Sequence, residues 1–134
     1  MKNLKLKAAV LVLLVTVGFT SCNNDDEPSI VTKKSLVSLV TGPTTAKVNE
    51  EITLEVTYSV DRNCEVFNRF IETTVDKTKT IEVETKVDGT TCNTTPATKK
   101  TTYKFKAAAV GTYILKFKKS TTEFVTQTII VSAV

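Results

Sequence analysis

From Ser35 onward apolar residues recur at every second position, the pattern of strands that bury one face. Ile52, Leu54, Val56, Tyr58 and Val60 alternate without a break with Glu51, Thr53, Glu55, Thr57 and Ser59. Ile81, Val83, Thr85 and Val87 alternate with Glu82, Glu84 and Lys86, and Tyr103, Phe105 and Ala107 with Lys104 and Lys106. Tyr113, Leu115 and Phe117 share a further face. Seven strands are predicted, over residues 35–41, 51–60, 65–75, 79–88, 99–107, 112–118 and 123–132. Gly42-Pro43, Asp61-Arg62-Asn63, Asp88-Gly89 and Gly111 supply turn chemistry at the breaks. Each run can bury one face only, so two sheets packed face to face are expected. Val66-Phe67-Asn68-Arg69-Phe70-Ile71 does not alternate and reads as a bulged strand, a helical turn being the alternative, with Phe67 and Phe70 expected in the core rather than as a ligand-contacting pair beside Arg69.

The first 34 residues follow a different pattern. Lys2, Lys5 and Lys7 precede an apolar run from Ala8 to Phe19, the layout of a secretory signal peptide. A dozen helical residues reach only about 18 Å, short of a hydrocarbon core of roughly 30 Å. The run closes on Thr20-Ser21-Cys22, two small residues before a cysteine. This resembles the lipobox of bacterial lipoproteins, although Phe19 stands where that pattern prefers an aliphatic residue. The resemblance implies a signal peptide over residues 1–21, cleavage after Ser21 and acylation of Cys22. Residues 22–34 then read as a lipidated, disordered tether, polar and too poor in apolar side chains to pack. Its acidic cluster Asp25, Asp26 and Glu27 looks like the surface-export signal of Bacteroidota lipoproteins. That implies an outer-membrane anchor with the domain facing the medium; a periplasm-facing orientation is the alternative.

Seven short strands in the remaining residues 35–134 resemble an immunoglobulin-like sandwich, and Gly111-Thr112-Tyr113 looks like its tyrosine corner. The expected fold is therefore all-β, a seven-stranded antiparallel Ig-like β-sandwich behind a cleaved signal peptide and a short disordered tether. It would be of the bacterial type, since there is no Trp and no cysteine at the inter-sheet positions. With Cys22 consumed by lipid outside the cytoplasm, Cys64 and Cys92 form an even pair and are expected as a disulfide. Alternating strands would bring the loops that hold them to one end of the sandwich. The tether would emerge at that end, and the loops around Gly42-Pro43, Asp76-Lys77-Thr78 and Ala109-Val110-Gly111 would face outward at the other.

Charge changes little. The chain has 18 basic and 14 acidic residues, and removing Lys2, Lys5 and Lys7 leaves 15 against 14. A near-neutral balance with scattered lysines gives no footprint for nucleic acid, and none is expected as a partner. Reactive groups are few. There is no His, which excludes Ser-His-Asp and Cys-His nucleophile systems and His-bearing metal sites. Four glycines form no phosphate loop, and Glu82 with Glu84 is expected on a solvated strand face. No catalytic residue, metal ligand or cofactor is assigned. The expected function is a non-catalytic, lipid-anchored envelope module whose partners are the membrane, through Cys22, and a protein or glycan. The alternative is a small inhibitor of a protease or other hydrolase.

Overall fold

A computed structural model describes residues 30–87 and 92–134, and they form an all-β structure of two sheets. The strands are β1 (Val31–Ser35), β2 (Val37–Thr41), β3 (Thr45–Lys47), β4 (Glu51–Val60), β5 (Glu65–Val75), β6 (Thr78–Val87), β7 (Ala97–Lys106), β8 (Gly111–Lys118) and β9 (Phe124–Ser132). β2, β4 and β7 make the small sheet; the other six make the large one.

The alternation in β4 works as the pattern requires. Ile52, Leu54, Val56, Tyr58 and Val60 are all buried, and they meet Ile81, Val83, Leu115, Phe117 and Ile129 of the large sheet in one core. Tyr103 and Phe105 of β7 complete it. In β5 the register shifts between Phe67 and Arg69 against β6. The extra residue, Asn68, turns the chain by one position, so Phe67 and Phe70 point to the same side although they are three positions apart. Both rest half-buried against the core, with ring centres 4.8 Å apart.

Two features differ from the sequence expectation. The first predicted strand is two strands. Val31 to Lys34, assigned above to the tether, pair with β6, and after Leu36 the chain crosses to the small sheet as β2. β3, too short to show a period, adds a ninth strand.

The sheets are also not purely antiparallel. β3 runs parallel to β9 and β6 parallel to β8, so the large sheet is mixed. β5 pairs along the whole of β6, from Val87 to Thr78. On the opposite edge of β6, β1 takes Val83 to Val87 and β8 takes Thr78 to Ile81. Two strands therefore share one edge of a third, and Glu82 lies where they meet.

Among the described residues β5 and β7 are long edge strands. β5 carries the bulge, and β7 carries Lys99, Lys100, Lys104 and Lys106, both devices that discourage pairing with another chain. Gly42, with φ +152°, lets the chain leave β2: a Cβ there would lie 2.5 Å from Leu54 Cδ2.

Candidate functional site

The registers define two ends. β4 finishes, β5 starts, β6 finishes and β7 starts at one of them, where Cys64 and Cys92 form a disulfide with Cα atoms 5.7 Å apart. Lys99 reinforces this end by donating to the carbonyl oxygens of Asn63 and Glu65, at 2.7 and 2.6 Å. Val31 pairs with Val87, so the described chain enters here too. Asp88-Gly89, expected as a turn, lies outside the described residues, as do Cys22, Asp25, Asp26 and Glu27.

The opposite end gathers the loops that the sequence expected there. All four positive-φ residues among those described lie in this half: Gly42 (+152°), Asn49 (+66°), Asp76 (+53°) and Gly111 (+140°). Backbone held in this region is sparsely populated and persists where neighbours determine it. Here they do. The Lys77 ammonium donates to the Val110 carbonyl at 2.9 Å, and its own carbonyl accepts from the Ile114 N–H at 2.9 Å. Tyr113 Oη donates to the Ala109 carbonyl at 3.0 Å, and the Asn49 N–H to Ala107 at 2.8 Å. With its carbonyls fixed in this way, the 108–110 loop exposes Ala108, Ala109 and Val110. Val75, at the end of β5 in the same half of the molecule, is 67% exposed. A small apolar tip is thus held rigidly by polar contacts behind it.

The outer face of the large sheet is less solvated than its alternation implies. Glu82 and Glu84 do share that face, but β6 is central and its neighbours supply cations. Glu82 lies between Lys34 of β1 and Lys118 of β8, at 2.5 and 3.2 Å. Arg69 Nε and Asn68 Nδ2 of β5 both donate to Glu84 Oε1, at 2.9 and 2.7 Å. The Lys34 hydrogen bond, more than any other contact, holds the Glu82 carboxyl below the usual carboxylate range; Arg69, then Asn68, does the same for Glu84. These are carboxylates committed to ion pairs, with no free acid beside a free base.

On the flank where β1 and β8 meet, an open cleft of about 570 Å³ is lined by Lys33, Lys34, Lys119, Ser35, Ser59 and Asp61, among others. A smaller one of about 140 Å³ adjoins it through Lys33 and Asp61. Behind it the Thr85 hydroxyl donates to Glu65 Oε2 at 3.1 Å and lies 3.0 Å from Ser35 Oγ, a hydrogen-bonded polar cluster inside the sandwich. Sequence reasoning missed this cleft because Lys33 and Lys34 were read as tether. Only the pairing of Val31–Ser35 with β6 brings them beside Lys119. Among the described residues no cluster of His, Cys, Asp and Glu could hold a metal ion, and no helix is long and apolar enough to cross a membrane.

No family model matches the chain, and neither a curated protein nor a solved structure does.

Proposed function

We propose that this protein is a lipid-anchored, non-catalytic interaction module of the cell envelope, built on an immunoglobulin-like sandwich and tethered through Cys22. In this reading the disulfide end faces the membrane. The opposite loops, with Ala108, Ala109, Val110 and Val75 outermost, meet a protein or glycan partner. The observation that carries it is the separation of the two ends: the chain enters beside Cys64–Cys92, while the fixed loops lie at the far end. A preorganised surface loses little entropy on binding, which suits a recognition role. The Ig-like assignment draws support from Tyr113, which bonds upstream to Ala109 as a tyrosine corner does. The parallel β6–β8 pairing departs from the antiparallel Ig pattern. Asp25, Asp26 and Glu27 support an outer-membrane address on the cell surface.

Fixed, apolar loops also favour the second reading, an inhibitor of a protease or other hydrolase that inserts the 108–110 loop into its target. Intact mass of the native protein, with proteinase treatment and antibody labelling of whole cells, tests the anchor. Wild type is expected to carry acyl mass and to be labelled, and Cys22→Ala to lose both; absence of lipid overturns the reading. A photo-crosslinker at Val110 is expected to capture a partner that one at Thr98 does not. Inhibition of a hydrolase panel would select the second reading.

A further inference from the structure

We propose that the basic flank beside the chain's entry point docks on the phosphate-bearing headgroups of a lipid surface. This rests on the anchored reading, because the anchor brings such a surface within reach: eight residues from Cys22 to Ile30 span at most about 28 Å.

Three observations point to lipid. First, the cleft has three ammonium groups, Lys33, Lys34 and Lys119, against one acid, Asp61. Asp61 engages Lys33 and Glu82 engages Lys34, while Lys119 makes no ion pair among the described residues. The excess charge suits an anion, and Ser38 and Ser59 line the same space, while the Ser35 hydroxyl is turned inward to Thr85.

Second, exposed apolar side chains border these lysines on the same short stretch. Ile30, Val31 and Leu36 are 55%, 61% and 48% exposed. Interleaved apolar and basic groups match the interfacial zone of a bilayer, where the apolar groups reach the acyl boundary and the ammonium groups stay with the phosphates. A soluble phosphate would give the apolar residues no role.

Third, the flank is continuous with the tether. In chain order β1 follows the segment from Cys22 and leads directly into the cleft. Lys119 reaches the same place from the β8–β9 turn because β8 ends against β1 on the shared edge of β6. Tethering and docking thus act on one side of the molecule.

The test uses the native lipidated protein in nanodiscs of phosphatidylcholine, with or without phosphatidylglycerol, and reads the acylation rate of individual lysines by mass spectrometry. Lys119 is expected to react several-fold more slowly in the anionic discs. The difference is expected to vanish near 1 M salt, where the screening length is about 3 Å. Lys106, at the far end, is expected to react equally in both lipids. Equal rates at Lys119 overturn the proposal. Intact mass of the same sample reports on the anchor independently. The unlipidated Cys22→Ser protein, sedimented with phosphatidylglycerol vesicles, tests the docking without the anchor: Lys119→Gln is expected to weaken binding about fivefold, the effect of one lysine at an anionic surface. No vesicle binding, or binding indifferent to Lys119→Gln, also overturns it.

Discussion

Tyr103 of the small sheet meets Phe117 of the large one edge to face, with ring centres 5.4 Å apart and planes at 89°. Phe70 abuts the other side of Tyr103 at 5.1 Å, so this ring closes the seam between the edge strands β5 and β7. Its hydroxyl, however, is buried with no partner within hydrogen-bond distance among the described residues, and burial first, then the facing Glu72 carboxylate, pushes its pKa well above the usual phenol value. Keeping the ring while deleting an unpartnered buried hydroxyl removes a desolvation penalty. Tyr103→Phe is expected to leave stability unchanged or raise it by up to about 1 kcal/mol. Tyr103→Ala is expected to cost about 3 to 5 kcal/mol. Urea denaturation midpoints check both; marked destabilisation by Tyr103→Phe would mean that the hydroxyl has a partner.

The far-end loops rest on Lys77 and Tyr113. Tyr113→Phe keeps the ring and deletes the bond to Ala109, an expected loss of about 1 kcal/mol. Lys77→Met removes the bond to Val110 with a similar or smaller loss. Both are expected to raise hydrogen exchange in the 108–111 segment while β4 amides keep their protection. Uniformly faster exchange would show that these residues hold up the whole fold and not the tip.

Acid is expected to act through the outer face of the large sheet. Glu82 and Glu84 have folded pKa values below the ordinary 4.5, so the ion pairs with Lys34, Lys118 and Arg69 contribute stability above that value. That contribution is lost as pH falls through the lower folded values. Melting temperatures measured from pH 7 down to 3 are expected to fall below about pH 4.5. In Glu82→Gln/Glu84→Gln the acid-dependent fall should be shallower. An identical slope would place the acid sensitivity elsewhere.

The disulfide closes a sequence separation of 28 residues and joins the β4–β5 and β6–β7 connections. Cys64→Ser/Cys92→Ser is expected to cost about 2 to 5 kcal/mol, mostly by freeing the unfolded chain. Chemical denaturation of oxidised protein beside the double variant measures it, and equal midpoints would refute the estimate.

How much of this was readable in advance depended on how many faces each strand buries. β4 and β7 bury one face, and their alternation announces them; β6 alternates as well, although ion pairs cover its other face. The bulge at Asn68 was legible because Phe67 and Phe70 break the period. β1 was not legible, because four of its five residues are exposed and its pairing with β6 lies some fifty residues away in sequence. The parallel pairings have no local signal either. The far-end loops could be placed from strand alternation alone. The contacts of Lys77 with Val110 and Tyr113 could not, since they span more than thirty residues and leave no pattern in the chain.

The sharing of β6 by β1 and β8 also decides how the molecule would carry a mechanical load. β1 starts at the entry end and runs toward the middle of β6, in register from Val31 with Val87 to Ser35 with Val83. A pull on the residues before Ile30 therefore acts along the strand and loads the five pairings in shear, together, instead of peeling them in succession. Beyond Leu36 the chain continues as β2, sewn into the other sheet against β4, so the tension divides between both layers. A partner tugging at the loop end would pull against a joint aligned with the force.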